Sequence, residues 1–429
     1  MSDTYNRRGF LRNSGLASFM QGAQPDARPI RVGIVGVGDR GTYHMDVLLG
    51  MDSVEVKALC DIDPDYLYRA KRWVEQAGKP SPALYSGPTD YLKLVERNDL
   101  DLVLTATPWQ LHAPVCVAAM KAGKHACTEV PAALTVEECW ELVEASEKSG
   151  KHCTMLEQVN YSEEELAILN MAQQGLFGEI VHATGGYVHD LRLVKFDPER
   201  EPWRLQHSID RNGNLYPTHP TGPIAWWLNI NRGDRFESMV SVSSKAVMIN
   251  DYASRFYGPK HPYASVKAAQ GDVNTSILRT ADGKTVVLHF DTNTPHPQTG
   301  EILLQGTNGL YSGDERKIYV EGRSPEEHKW EPVKKYLEEF RHPLYKKIDP
   351  KKFKSARGHG GGTDTHVMWA CILDAHMKGR RPDMDVYDAV TWSVISPLSE
   401  QSVATRSKPV EFPDFTRGKW KTNPPVKLV

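Results

Sequence analysis

The residues best suited by type and spacing to do chemistry begin early in the chain. Gly36-Val37-Gly38-Asp39-Arg40-Gly41 is a G-x-G-x-x-G run between an apolar stretch, Ile30 to Val35, and a helical pattern that starts near Thr42. Glycines so placed permit a tight turn and let the backbone approach a pyrophosphate. The helix that follows offers free N–H groups and the positive end of its dipole. Asp61 stands 20 residues beyond Gly41, at the end of the strand-like run Val54–Cys60. A carboxylate there accepts hydrogen bonds from a ribose 2′-hydroxyl and repels a 2′-phosphate, which favours NAD over NADP. Two later segments occupy the same carboxyl-end position, where a cofactor crevice forms. Thr107-Pro108-Trp109-Gln110-Leu111-His112 follows the strand candidate Leu102–Leu104, and Glu129-Val130-Pro131 follows His125–Thr128. Trp109 has a flat face for adenine or nicotinamide, His112 a ring nitrogen for the cofactor, and Glu129 lies where a nicotinamide ring is expected.

These groups need a sheet to align them. Val54–Leu59, Leu102–Leu104, His125–Thr128 and Cys153–Leu156 read as strands. Helical stretches alternate with them, one from Ala113 to Ala122 ending at Gly123, another opening with the capping box Thr135…Glu138. This alternation predicts an α/β Rossmann domain with a doubly wound parallel sheet over residues 29–157. Beyond it the strand candidates 180–188, 237–247, 275–280, 285–290 and 301–304 follow one another, with Asp282-Gly283 as a hairpin turn. They predict an α+β substrate domain over 158–429, built on an open-faced, mainly antiparallel sheet, with its C-terminal segment packing back on the first domain. The Lys/Arg-rich stretch 345–357 reads as a solvated loop.

Composition narrows the partners. The 429-residue chain has a formal charge of -2, too little positive field to gather the phosphates of a nucleic acid. Its six cysteines show no C-x-x-C spacing and no zinc-like cluster, and read as buried free thiols; no metal is expected. Residues 1–28 read as leader and linker. Arg7-Arg8-Gly9-Phe10-Leu11-Arg12 resembles a twin-arginine export signal, followed by a short apolar part, Gly15 to Met20. Export by that route is the expectation, with a cytoplasmic location as the alternative. No stretch is long and apolar enough for a membrane span.

The arrangement resembles the Gfo/Idh/MocA oxidoreductase superfamily, whose members pair a Rossmann domain with a C-terminal open-faced sheet. Where that superfamily has Glu-Lys-Pro, with a lysine assisting hydride transfer in sugar and inositol dehydrogenases, this chain has Glu129-Val130-Pro131. Four later motifs sharpen the likeness. They are Gly186-Tyr187-Val188-His189-Asp190-Leu191-Arg192, Trp203-Arg204, Tyr216-Pro217-Thr218-His219-Pro220 with Gly222-Pro223, and Gly358-His359-Gly360-Gly361. With Pro397-Leu398-Ser399-Glu400 near the C-terminus, they resemble glycoside hydrolase family 109, the NAD-dependent α-N-acetylgalactosaminidases.

The resemblance implies an oxidation–elimination–addition–reduction hydrolysis with a recycled NAD, in place of the paired carboxylates of standard glycosidases. Oxidation at carbon 3 of the sugar acidifies the proton on carbon 2, a base removes it, the aglycone leaves, water adds and the hydride returns. It implies that Gly36, Gly38, Asp39, Arg40, Gly41, Asp61, Trp109, His112, Glu129, Val130, Gln158 and Tyr216 line the cofactor. Tyr187, Arg204, Tyr216, Pro217, Thr218 and His219 meet the sugar. His219 is the expected base for the hydroxyl proton, because an imidazole titrates in the right range. Tyr216, Tyr187 and Glu129 are candidates for the other proton transfers. Read from the residues alone, His219 lies in a proline-flanked loop, Tyr187 and His189 share one strand face that fits a core equally well, and Arg204 beside Trp203 fits a surface cation–π pair. The sequence departs from the family at Glu157-Gln158, where Asn follows the Glu, and at Pro295-His296-Pro297-Gln298, where a Tyr is usual. Terminal N-acetylgalactosamine or a related sugar is the expected substrate and a homo-oligomer the expected assembly. The alternatives are a Gfo/Idh/MocA-type sugar dehydrogenase, which would form NADH stoichiometrically, and a non-catalytic NAD- or sugar-binding module.

Overall fold

The computed structural model of the protein describes residues 28–346 and 362–428. The twin-arginine-like segment and the Gly358–Gly361 run with His359 lie outside the described residues, as does most of the basic stretch near 350.

The first domain is a six-stranded parallel sheet in the order β3-β2-β1-β4-β5-β6. Its strands are β1 (Ile30–Val35), β2 (Val54–Cys60), β3 (Ala83–Tyr85), β4 (Leu102–Thr105), β5 (His125–Thr128) and β6 (Cys153–Met155). β4 is buried along its whole length, as both-face coverage by helices requires. Strand order reverses beside β1, so the crevice at the carboxyl ends opens between β1 and β4. β3 has no signal in the sequence: three half-buried residues are too few to show a period.

Helix α1 (Asp39–Leu49) starts in the glycine run. Gly41 cannot be replaced there, because a Cβ on it would lie 1.8 Å from the Gly36 carbonyl oxygen. Gly36 has φ +82°, and a Cβ would meet the Ala106 carbonyl oxygen at 2.7 Å. Both glycines are therefore required by the close approach of α1 to the β1–β4 edge.

The second domain holds a nine-stranded sheet ordered β14-β13-β12-β11-β7-β10-β9-β8-β15. Its first half comprises β7 (Ile180–Val188), β8 (Phe236–Ser243), β9 (Asn274–Thr280), β10 (Thr285–Asp291) and β11 (Leu303–Gly306). β12 (Gly309–Ser312), β13 (Lys317–Val320), β14 (Glu331–Pro332) and β15 (Val410–Glu411) complete it. Only β7 and β10 pair in parallel; the other neighbours are antiparallel. β8 stops at Ser243, short of the expected Val247. The Asp272 carboxylate accepts hydrogen bonds from the Val247 and Met248 N–H groups and turns the chain into a helix instead.

Two late helices pack back on the Rossmann domain. Helix 363–377 touches α1, and helix 386–393 sits against β6 and the helix Val136–Ser149. Ser393 Oγ accepts from the Ala132 N–H at 2.9 Å, just beyond Pro131. All six cysteines are free and buried. Among the described residues no helix is long and apolar enough to cross a membrane, and no cluster of three or more His, Cys, Asp or Glu is arranged to hold a metal.

Candidate active site

The cofactor crevice begins at the N-terminus of α1, which Gly38 precedes without any side-chain cap. The first-turn N–H groups are thus not masked by a capping side chain. A Cβ on Gly38 would meet only the Tyr66 ring, at 3.8 Å, so the turn is open on that face. Asp61 Oδ2 accepts from the Val37 N–H at 2.7 Å and Oδ1 from the Asp63 N–H at 3.0 Å. The acid therefore holds the glycine turn as well as standing at the strand end where a ribose would lie. These features fit a dinucleotide: an open glycine turn, uncapped amides and an acid beside them.

Glu129 occupies the nicotinamide end and is 6% exposed. Its Oε1 accepts from Arg40 Nε at 2.9 Å, Arg40 Nη2 at 2.7 Å and His44 Nε2 at 2.7 Å, and Oε2 accepts from the Val130 N–H at 3.1 Å. Burial opposes its charge, but Arg40 and the His44 hydrogen bond outweigh that and hold the carboxyl below the usual carboxylate range. Glu129 is consequently a fixed acceptor whose oxygens are occupied. It is unsuited to the proton-transfer role expected of it.

His219 is the second residue of helix 218–227, so the loop read from its prolines is a helix. Pro220 falls in the first turn, where no N–H is needed. Pro223 stands inside the helix, where the missing N–H leaves the His219 carbonyl without its i+4 donor. The buried surroundings hold this apolar helix despite that loss. His219 Nδ1 lies 2.6 and 2.8 Å from the two oxygens of Glu157, which is wholly buried just past β6. The carboxylate fixes the Nδ1–H tautomer and leaves Nε2 as the basic nitrogen. The side chain of His219 is 22% exposed, so the imidazole reaches the crevice while its partner does not. Gly222 makes this approach possible, because a Cβ there would lie 3.0 Å from Glu157 Cγ and 2.1 Å from Asn160 Oδ1.

Around His219 stand two phenols. The rings of Tyr187 and Tyr216 are 4.6 Å apart, and lie 5.5 and 5.1 Å from the imidazole. Burial raises both phenols above their ordinary value, so they stay protonated and can donate. Trp109 stacks on Tyr216 at 5.4 Å and on His207 at 4.8 Å. Arg204 sits centrally, its guanidinium 5.2 Å from the Trp109 ring, 4.9 Å from Trp203 and 5.1 Å from Tyr216. It is paired with Glu201. A small cavity beside it is lined by Trp109, Tyr187, Lys195, Arg204, Tyr216 and Thr292. Lys195 donates to Thr292 Oγ1 at 2.8 Å, Asn293 Oδ1 at 2.6 Å and Ser208 Oγ at 3.1 Å. Burial, and then the Arg204 charge, lower it to about 7.

Comparison with known proteins gives this geometry a setting. Residues 30–157 match the oxidoreductase family with an NAD-binding Rossmann fold, and residues 161–422 match the C-terminal domain of glycosyl hydrolase 109. The chain belongs to glycosyl hydrolase family 109. A family 109 protein of Shewanella pealeana (strain ATCC 700345 / ANG-SQ1) is 40% identical, over 99% of each chain. One of Shewanella putrefaciens (strain CN-32 / ATCC BAA-453) is 42% identical, over 94% of this chain and 89% of the relative. Levoglucosan dehydrogenase in complex with NADH shares the fold at TM-score 0.70 and 20% identity, over 90% of this chain and 100% of that one. An Azotobacter vinelandii inositol dehydrogenase homolog, complexed with NADH and myo-inositol, does so at 0.65 and 18%, over 90% and 99%. The family 109 chain is a glycosidase that carries an NAD-binding domain, and NAD is its cofactor.

Most residues singled out in the sequence meet at this one crevice. Gly36, Gly38, Asp39, Arg40 and Gly41 form its floor, Glu129 and Val130 its far end, and Gln158 reaches Arg40 Nη2 at 3.5 Å. Arg204 sits among three rings with its side chain only 14% exposed and is no surface pair. Other residues are held by their surroundings in ways the sequence did not show. His112 is 1% exposed, and its nitrogens face the carbonyl oxygens of Pro131 at 2.7 Å and Thr107 at 2.8 Å. It ties the two crevice loops together instead of presenting a free nitrogen. Pro217 and Thr218 are buried at the start of the His219 helix. Gln298 is exposed on a loop whose His296 carbonyl accepts from the Asp190 N–H at 3.0 Å, beside the exit of β7. The Pro397–Glu400 motif has a structural part: Ser399 Oγ accepts from the Asn214 N–H at 2.8 Å and Glu400 pairs with Arg211, fixing the loop before Tyr216. Sequence reasoning missed Glu157 as the partner of His219, although an acid just past β6 repeats the placement of Glu129 past β5. It missed Lys195, His207 and His44 entirely, since each gains its meaning from residues far away in the chain.

Proposed function

We propose that this protein releases terminal N-acetylgalactosamine, or a closely related sugar, by NAD-dependent oxidation–elimination–addition–reduction. The observation that carries the reading is the buried Glu157 carboxylate behind His219 Nδ1, which leaves one basic imidazole nitrogen among Tyr187, Tyr216 and Arg204. Bound NAD supplies reversible hydride exchange with a sugar carbon, and the crevice from the glycine turn to Glu129 would hold it. His219 Nε2 takes the proton of the sugar hydroxyl being oxidised, and Glu157 stabilises the imidazolium formed. Tyr187 and Tyr216, kept as phenols by burial, donate to sugar oxygens where negative charge develops in the elimination. Arg204 orients the ring from its aromatic seat. Val130 cannot relay a proton, so the superfamily lysine has no counterpart at that place, which disfavours an ordinary dehydrogenase.

The test is a screen of nitrophenyl glycosides of N-acetylgalactosamine and its relatives, in both anomeric forms, with the purified protein and NAD. The expected result is nitrophenol release without net NADH, and sugar product carrying deuterium at carbon 2 when the reaction runs in heavy water. Release without that exchange would refute the mechanism. Stoichiometric NADH from free sugar, with no glycoside cleaved, would make the chain a dehydrogenase. Export of the protein through the Arg7–Arg12 signal is a separate proposal, checked by locating the protein in cell fractions of wild type and an Arg7→Lys/Arg8→Lys variant.

A further inference from the structure

We propose that His44 and Trp369 are positioning residues of the NAD site: a buried chain Trp369–His44–Glu129 locks the Arg40 guanidinium at the crevice. The inference rests on the cofactor site described above and adds residues that make no contact with the crevice themselves.

The chemistry of the chain runs in one direction only. Trp369, on helix 363–377, is wholly buried, and its Nε1–H lies 3.0 Å from His44 Nδ1. An indole nitrogen can donate and never accept, so His44 Nδ1 must be the unprotonated nitrogen. The proton of the neutral ring is therefore on Nε2, which donates to Glu129 Oε1 at 2.7 Å. His44 is 0% exposed, and burial favours this neutral form. The Glu129 carboxylate, oriented from behind by His44 and from its own chain by the Val130 N–H, then receives both Nε and Nη2 of Arg40. Arg40 is the member that reaches solvent most, with its side chain 36% exposed against 8% for Glu129. It is also the member in the glycine turn, with Gln158 and the Tyr43 ring as its other neighbours. The outermost group, which would meet the cofactor, is thus set by a ring on a helix more than three hundred residues later in sequence.

Remove the indole N–H and Nδ1 of His44 loses the only donor it has among the described residues. The imidazole is then free to take the other tautomer, which presents a lone pair to the carboxylate and loosens Glu129 and Arg40.

The experiment measures NADH release from the full-length protein by fluorescence, chased with excess NAD. Trp369→Phe, His44→Leu and Arg40→Met are expected to speed release about tenfold, as loss of one charge-assisted hydrogen bond would. Trp392→Phe is the control, because Trp392 is equally buried on the neighbouring helix and its Nε1 has no partner among the described residues. It is expected to lower the melting temperature without changing release. Trp369→Phe combined with Arg40→Met should release NADH no faster than Arg40→Met alone. Wild-type release from Trp369→Phe, or full additivity in the double variant, overturns the proposal. Absence of NADH binding by the wild type would instead count against the cofactor site itself.

Discussion

Replacing Glu157 by Gln tests the proposed base directly. The carboxylate is wholly buried, and both of its oxygens lie within 2.8 Å of His219 Nδ1. Oε1 also accepts from the Val159 N–H at 3.3 Å. In Glu157→Gln the amide oxygen must stay at the Oε1 position to satisfy both N–H groups. The amide NH2 then replaces Oε2, and a second donor faces the Nδ1–H. The charge that stabilises an imidazolium is gone while the volume is kept. A hydrogen bond to a charged group contributes about 1.5–3 kcal/mol. Loss of about 2–3 kcal/mol in the transition state corresponds to a fall of roughly 30- to 150-fold in kcat/KM. The assay is initial-rate hydrolysis of the best nitrophenyl glycoside at saturating NAD, with the melting temperature and NADH affinity measured alongside. The expected result is a fall of that size carried mainly by kcat, with NADH affinity at the wild-type level. A variant that folds, binds NADH and turns over at the wild-type rate would refute the assignment of His219 as the base.

Two more predictions follow from the same geometry. Gly41→Ala places a methyl group 1.8 Å from the Gly36 carbonyl oxygen, so α1 must shift away from the glycine turn. A loss of about 1–3 kcal/mol of stability is expected, together with much weaker NADH binding, checked by denaturant melts and fluorescence titration. Lys195 is lowered from 10.5 to about 7, first by burial and then by Arg204. Between pH 7 and 10.5 the unfolded chain therefore binds more protons at this site than the folded one, and the lysine's contribution to stability rises with pH across that window. Melting temperatures of wild type and Lys195→Met should move in favour of the wild type on going from pH 7 to 10. A gap that stays constant would show that the ammonium is not depressed.

Local sequence determined the cofactor half of this protein. The glycine run, Asp61 and the carboxyl-end segments after β4 and β5 announce themselves because a parallel strand, a tight turn and a helix must follow one another within a few residues. The steric demand at Gly41 acts within a single turn, against the Gly36 carbonyl, while Gly36 is set by its own positive φ and by the Ala106 backbone after β4. The capping box at Thr135–Glu138 was legible for the same reason and forms as read. Tyr187, Arg204 and His219 were legible only as motifs resembling those of a family, since their spacing alone did not distinguish a site from a core. What the tertiary structure decided is how far each group is free to act. His112 and Glu129 stand in the right loops, yet backbone carbonyls absorb one and Arg40 and His44 the other. His219 gains its basic nitrogen from Glu157, 62 residues away, and Glu129 its rigidity from Trp369 through His44. Burial and hydrogen bonding fix a protonation state, and both depend on elements that come together only when the two sheets and the late helices have packed.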